Sequence, residues 1–127
     1  MDKIILEGSI SVKAALEAGR REIYEILTDG RKPDRNRNYI LNLAKKNHIK
    51  ITDVSSDEIS SLAGGTSHGG LLAVVSERTY QDLDEIYAHP LPFLAVLEGI
   101  EDPYNFGYSL RSLYASGVNG IILSPRN

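Results

Sequence analysis

The sequence predicts an α/β protein built in two parts, and three observations support this fold class. Helical and strand-like apolar patterns alternate along the chain, which is typical of parallel α/β arrangements, and we expect one in both parts. A polar stretch over 76–90 interrupts the alternation, and a new strand–helix–strand pattern follows it. The length of 127 residues suits one compact domain, or a small domain with part of another. We therefore expect a first domain at 1–76, a linker at 77–91 and a second domain at 92–127.

The elements of the first part follow from apolar spacing and from residues that end helices or make turns. Gly19 ends the first helix, and Asp29 with Gly30 turns the chain after the first predicted strand. Ser55 or Ser56 caps a short helix that has acids in its first turn. The apolar run at 71–75 predicts a strand buried on both faces. The predicted helices span 8–19, 39–46 and 57–62, and the predicted strands span 23–27, 49–51 and 71–75.

The second part predicts a strand at 93–97, a loop at 98–104, a helix at 105–116 and a strand at 120–123. Pro103 fixes the start of the helix, and Asn105 can cap it by accepting from its first free N–H groups. Gly107 and Arg111 are four residues apart, so they share a helix face on which the guanidinium can meet an anion. A capped helix with one surface arginine explains the same pattern.

Composition excludes several function classes. The chain has no cysteine, so it carries no disulfide, no Cys-based zinc site and no thiol nucleophile. No apolar run approaches the roughly 18 residues of a membrane span, and the N-terminus lacks a signal-peptide pattern. His48, His68 and His89 are scattered without ligand spacing, so we expect no metal. A cytoplasmic location with no membrane partner is the default expectation.

Positive charge is concentrated in one region, although the formal net charge is −3. Between Arg20 and Lys50 there are nine cations and four acids, a net of +5. Four of these cations fall within residues 31–37, which we call the basic segment and predict to be a polar loop: Arg31, Lys32, Arg35 and Arg37. Such charges neutralise nucleic-acid phosphates, and crowding them in a mobile loop is self-repelling without a partner. A solvated surface is the alternative interpretation.

Two stretches resemble a known family. The sequence EDPYNFGYSLRSLYASG at 101–117, followed by VNGIIL, resembles the first signature motif of the SpoU/TrmH branch of SPOUT-class RNA ribose methyltransferases. Its core is Asn105, Gly107 and Arg111, which follow an Asp-Pro pair. The N-terminal part resembles that family's small substrate-binding domain, in the EG pair at 7–8 and in SHGGLLA at 67–73. The latter is similar to an H-Q-G-x-x-A pattern, with Gly69 where Gln is usual.

The resemblance implies a fold and a function. The fold is a small ribosomal-protein-like α/β substrate-binding domain followed by the first strand–helix–strand of a knotted parallel α/β methyltransferase domain. The implied activity is methyl transfer from S-adenosylmethionine to a ribose 2′-hydroxyl of RNA, rRNA more than tRNA, by a homodimer. The motifs that bind the donor are expected beyond Asn127, so the chain alone is expected to hold no donor-binding residues and to be inactive.

The resemblance also assigns residues. Arg111 acts at the 2′-hydroxyl and its adjoining phosphate, and Asn105 shapes the loop and the dimer contact; these two are the catalytic candidates. A guanidinium stays protonated, so Arg111 is expected to hold the phosphate and stabilise developing negative charge, and the proton acceptor is left open. The expected RNA contacts are Arg31, Lys32, Arg35, Arg37 and His68.

Two other functions remain open at this point. One is a free-standing RNA-binding module of ribosomal-protein type without catalysis, which explains residues 1–76 equally well. The other is a small-ligand α/β domain in which the helix that starts near Asn105 binds an anion at its N-terminus.

Overall fold

A computed structural model describes residues 2–125 of the chain. They divide into two compact units, and the boundary in the chain falls between Thr79 and Tyr80. The predicted end of the second domain at Asn127 lies outside the described residues. The first unit contains β1 (Lys3–Glu7), α1 (Gly8–Ala18), β2 (Ile23–Thr28), α2 (Arg35–Lys46), β3 (Lys50–Asp53), α3 (Ser56–Leu62) and β4 (Leu71–Ser76).

The four strands of the first unit form one mixed sheet in the order β1-β4-β2-β3. β2 and β3 are parallel, as predicted, but β4 runs antiparallel to both β1 and β2. The expectation of a parallel arrangement is therefore wrong for β4. The reason is where the strands end. β3 ends at Asp53 and β2 at Thr28, which lie opposite each other, and Thr28 also lies opposite Leu71, the residue at which β4 starts. The chain returns to the sheet at the end where it left, so β4 must run back.

The core of the first unit lies on both faces of this sheet. β4 supplies alternate side chains to the two faces, and its buried residues confirm the prediction for 71–75. The larger cluster joins α1 and α2 to the sheet, and it contains Val12, Leu16, Ile26, Ile40, Ala44, Leu71, Ala73 and Val75. The smaller cluster packs α3 against the other face through Leu27, Ile59 and Leu72.

The basic segment is shorter as a loop than predicted. α2 begins at Arg35 instead of Tyr39, because the carboxylate of Asp34 accepts from the Arg37 backbone N–H at 2.8 Å and caps the helix. The chain before Asp34 remains a loop, whereas Arg35 and Arg37 lie in the first turn of α2.

The second unit contains α4 (Leu83–Tyr87), β5 (Leu94–Leu97), α5 (Pro103–Ala115) and β6 (Gly120–Leu123). β5 and β6 are parallel, with Leu94 opposite Gly120, which confirms the predicted strand–helix–strand arrangement. α4 falls within the stretch that was expected to be a linker.

Candidate functional site

Asp29 joins the basic segment to the glycine-rich loop at residues 64–70, which we call the glycine loop. The backbone N–H of Asp29, just after β2, donates to the carbonyl of Gly70 at 3.1 Å. Its carboxylate accepts from Arg31, whose Nη2 lies 2.6 Å from Oδ2, and from the Nη1 of Arg37 at 3.2 Å from Oδ1. The Asp29 side chain is 3% exposed. One buried carboxylate therefore holds two arginines of the basic segment.

Gly70 makes this arrangement possible. Its φ is +75°, in the left-handed region that favours glycine. A Cβ built at this position would lie 2.1 Å from Oδ2 of Asp29, far inside van der Waals contact. The Asp29 carboxylate therefore occupies the space that any other side chain at position 70 would need.

Arg37 is buried, which was not expected of an RNA-contacting loop residue. Its Nη1 also lies 3.4 Å from Oγ1 of Thr28, and its Nη2 donates to the carbonyl of Gly69. Arg37 thus ties the start of α2 to the end of β2 and to the glycine loop. Its burial corrects the interpretation of the basic segment as four equivalent mobile cations.

The other three cations of the basic segment differ in their partners. The side chain of Arg31 is 54% exposed even though it pairs with Asp29. Lys32 and Arg35 are exposed, and within residues 2–125 neither forms an ion pair. The expected mutual repulsion is therefore wrong for Arg31 and Arg37, because both pair with Asp29. Lys32 and Arg35 remain without a counter-ion among the described residues.

The electrostatics of the Asp29 cluster favour its charged state. Hydrogen bonds from Arg31, followed by the bond from Arg37, lower the pKa of Asp29 from 3.8 to about 2, against the opposing effect of burial. The same carboxylate raises the pKa of Arg31. Both ion pairs are consequently intact throughout the neutral pH range.

A concave pocket of about 230 Å³ lies beside this cluster. Arg31, Lys32, Asp34 and Arg37 line it on one side, and Gly8 and Ser9 at the start of α1 together with Ser67, His68 and Gly69 contribute to its other walls. The structure therefore brings four of the five predicted RNA contacts to one pocket. The fifth, Arg35, is not in its lining.

His68 is held in a fixed orientation at this pocket. Its Nδ1 accepts from the Gly70 backbone N–H at 2.9 Å. A neutral imidazole that accepts at Nδ1 carries its proton at Nε2, so Nε2–H is the donor available to a ligand.

The predicted catalytic residues lie in the second unit, on α5. The guanidinium of Arg111 is 5.8 Å from the ring centroid of Tyr108, and its Nη1 is 3.7 Å from the position of a Cβ on Gly107. The arginine therefore extends along the open face that the glycine leaves, as the four-residue spacing predicts. Tyr104 and Tyr108 are exposed on the same helix.

Asn105 does not cap α5. The cap is Asp102, whose Oδ2 accepts from the Asn105 backbone N–H at 2.8 Å, and Pro103 occupies the first turn. The predicted cap is wrong because an Asp directly before Pro begins the helix two residues earlier than its apolar periodicity indicates. The amide side chain of Asn105 is exposed in the first turn.

Sequence reasoning missed Asp29 and Gly70. The sequence pattern indicates Asp29 only as a turn residue, although it is one of just two acids close to the four cations of the basic segment. That proximity was the available signal. Nothing local indicated the approach of Gly70 to Asp29, since the two are 41 positions apart in the chain.

Two kinds of feature are absent from the described residues. No helix in the range 2–125 combines the length and the apolar character needed to cross a membrane. In the same part of the chain, no three His, Cys, Asp or Glu side chains are grouped so that they could hold a metal ion.

Comparison with known proteins supports the resemblance. Residues 5–81 match the sequence family described as RNA 2′-O ribose methyltransferase substrate binding. A 23S rRNA (guanosine-2′-O-)-methyltransferase, RlmB, from Shewanella oneidensis is 35% identical over 97% of this chain and 52% of its own length. RlmB from Bordetella pertussis is 32% identical over 97% of this chain and 51% of its own length. The chain spans about half the length of these curated relatives.

A solved structure shows the same fold. The SpoU methyltransferase AviRb from Streptomyces viridochromogenes, in complex with AdoMet, superposes with a TM-score of 0.68 at 20% identity, over 98% of this chain and 46% of that one. The family match covers more than half of the chain, and it includes the basic segment and the glycine loop. The chain belongs to the SpoU/TrmH family of RNA 2′-O ribose methyltransferases, and residues 5–81 match its substrate-binding domain.

Proposed function

We propose that this chain belongs to an enzyme that transfers a methyl group from S-adenosylmethionine to a ribose 2′-hydroxyl of rRNA. The observation that carries the proposal is the cationic pocket of the first unit, because it lies within the part that matches the substrate-binding domain. The two RlmB relatives are named for 23S rRNA, and these names support rRNA as the substrate. A homodimer in the cytoplasm is part of the same proposal and rests on the family resemblance.

RNA binding by the first unit would depend on cations that face solvent. Lys32 and Arg35 are exposed without a counter-ion among residues 2–125, and Arg31 keeps half of its surface in solvent. Such groups gain from phosphates because binding releases the condensed counterions of the RNA. The contacts are expected at the sugar–phosphate backbone and its shape more than at base edges.

Arg111 would act on the charge that develops during methyl transfer. In such a transfer the 2′-oxygen would form a bond to the methyl carbon while the bond from that carbon to the donor's sulfonium sulfur breaks, and the hydroxyl proton would pass to a base that is left open. Negative charge would then develop at the 2′-oxygen, next to the phosphate that is already negative. A guanidinium has five N–H donors and does not lose its proton, so it can bind both groups without acting as the base. Its exposed position beside Gly107 leaves space for a ribose to approach.

The methyl donor is not assigned to residues of this chain. A donor of nucleoside size needs a cleft that encloses most of its surface. The described part of the second unit contains one two-stranded sheet with α4 and α5, and Val96 and Tyr104 are exposed at 66% and 71%. No step through the donor is assigned to these residues.

Methyl transfer tests the proposed activity. The full-length gene product is incubated with rRNA and isotope-labelled S-adenosylmethionine, and 2′-O-methylated nucleosides are measured by mass spectrometry. Arg111→Ala is expected to lower kcat by roughly 100-fold or more, because it removes a preorganised charge from the reacting oxygen. Arg78→Ala, which removes an exposed cation elsewhere, is the matched control. Normal turnover of Arg111→Ala would refute the catalytic role, and no transfer by the wild type would favour the binding module.

RNA affinity tests the proposed surface separately. Lys32→Ala with Arg35→Ala removes two cations from the basic segment, and Lys45→Ala with Lys46→Ala removes two from the other end of α2. The first pair is expected to reduce the slope of log K against log salt for single-stranded RNA by about 1.4, since each lost phosphate contact contributes about 0.7. A larger change from the second pair would place the RNA elsewhere.

A further inference from the structure

The pocket beside Asp29 has the properties of a site for one anionic group. Three cations and an imidazole line it, and its one carboxylate, Asp34, already accepts from the first turn of α2. We propose that this pocket takes a single phosphodiester of the bound RNA, and that Asp29, which does not line it, positions Arg31 and Arg37 at its wall. The inference rests on the proposed RNA-binding function and assigns a place and a positioning residue to it.

Arg31 is held in a way that leaves donors for a ligand. Asp29 accepts from Nε at 3.0 and 3.1 Å and from Nη2 at 2.6 Å, so the carboxylate occupies one edge of the guanidinium. A guanidinium has five N–H groups, and the Nη1 edge makes no bond within residues 2–125. Arginine binds phosphate with paired, planar donors, and fixing one edge reduces the freedom lost on binding.

Arg37 contributes a positive charge to the pocket wall, and its side chain is held in place. It is buried, and its donors are engaged by Thr28, Asp29 and Gly69. Without Asp29, Arg37 would lose its counter-ion and Arg31 would lose its anchor. The carboxylate therefore keeps both cations where the pocket needs them, although it lowers the net charge of the surface.

The remaining walls leave room for an anion and supply a further donor. Gly8 and Gly69 have no side chain to fill the pocket, and no heavy atom lies within 4 Å of a Cβ built on Gly69. His68 is oriented by the Gly70 N–H, which leaves its Nε2–H to donate.

Asp29→Asn gives a test in which two explanations predict opposite signs. The substitution raises the formal net charge from −3 to −2, so attraction by net charge alone predicts tighter RNA binding. Our proposal predicts a dissociation constant raised by roughly tenfold, the value of one charge-assisted hydrogen bond, and a salt slope reduced by about 0.7. Both are measured by fluorescence anisotropy of a short single-stranded RNA with the 127-residue chain.

Controls separate positioning from loss of folding. Asp57→Asn makes the same charge change at an exposed residue of α3, and it is expected to leave the salt slope unchanged. Circular dichroism checks that Asp29→Asn is folded at the assay temperature. If it is not, Arg31→Ala is used, because it removes the proposed contact while Asp29 still pairs with Arg37; the same loss of slope is expected.

The outcomes distinguish this inference from the function on which it rests. If the wild type binds RNA, and Asp29→Asn and Arg31→Ala bind it equally well or more tightly, the proposed phosphate site is wrong but the proposed RNA binding is not. Absence of salt-dependent RNA binding by the wild type overturns both. Equal competition by an acidic peptide at the same charge concentration would assign the pocket to a protein partner and would also overturn the inference.

Discussion

Gly70→Ala tests the Asp29 cluster through the fold, without altering any charged residue. The adjacent Gly69 provides a matched control, because both glycines have a positive φ, +60° at Gly69 and +75° at Gly70. They differ in what a Cβ would meet. At position 69 there is no heavy atom within 4 Å, whereas at position 70 the carboxylate oxygens of Asp29 lie at 2.1 and 2.6 Å.

The two substitutions therefore share one energetic cost and differ in another. An alanine in the left-handed region costs about 1–2 kcal/mol at either position. Only Gly70→Ala must also displace Asp29, which breaks hydrogen bonds between charged groups and leaves Arg37 buried without its counter-ion; this adds about 2–3 kcal/mol. We expect Gly70→Ala to lower the unfolding free energy by about 4 kcal/mol in total, and Gly69→Ala by less than half of that.

Urea denaturation followed by far-ultraviolet circular dichroism measures both variants, and thermal melts give a second readout. For a unit of this size, a difference of 2–3 kcal/mol corresponds to roughly 10–20 °C in Tm. Equal unfolding free energies for Gly69→Ala and Gly70→Ala would refute the proposal that Asp29 occupies the space beside Gly70.

Three further predictions concern neighbouring features of the two units. Because Asp29 has a lowered pKa, its ion pairs stabilise the fold above about pH 4, and this stability is lost as the pH falls toward about 2. The pKa shift corresponds to a contribution to the unfolding free energy on the order of 2 kcal/mol, and solvent around Arg31 reduces it toward about 1 kcal/mol. Asp29→Asn should remove this part of the acid dependence in thermal melts at pH 2 to 6. Arg37→Ala should lower the unfolding free energy measured in urea by about 2–3 kcal/mol, because Arg37 is buried. Arg35→Ala, at an exposed residue, should change it by less than about 0.5 kcal/mol, and equal losses would contradict the burial of Arg37. Asp102→Ala removes the N-cap of α5 and should destabilise this helix by about 1 kcal/mol. Faster exchange of the amide at position 105 measures this loss, and an equal effect from Asn105→Ala would contradict the assignment of the cap.

The parts of the fold that sequence could predict are those set by local pattern. The apolar run at 71–75 predicts a buried strand, and the helical spacing of Val12, Ala15 and Leu16 predicts the buried face of α1; the structure confirms both. The parallel pair of β5 and β6 followed from a strand–helix–strand pattern whose connection is long enough for a crossover.

Non-local pairing limited the rest. β1 has only three apolar residues in a row, and it is a strand because it pairs with β4, about 70 positions later. The direction of β4 likewise depends on where the chain re-enters the sheet. Within one segment, however, a local signal was missed: Asp34 is a good helix cap, and starting α2 there places Arg37, Ile40 and Ala44 on one buried face.

The candidate site shows the same division. The charge pattern alone predicts Lys32 and Arg35 as RNA contacts, which stays a prediction, and the structure leaves both exposed. The distinct state of Arg37 could not be found in this way, because its burial depends on the glycine loop that supplies the carbonyl of Gly69. The sequence pattern could count the cations but could not identify the one that is structural.

Hydrogen–deuterium exchange of the complete chain, with and without single-stranded RNA, tests the central claim most directly. The claim is that RNA binds where the basic segment meets the glycine loop. We predict that RNA slows amide exchange over residues 30–37 and 67–70, and that added salt removes this protection. Protection confined to the end of α2 around Lys45 and Lys46, or none at low salt, would contradict it.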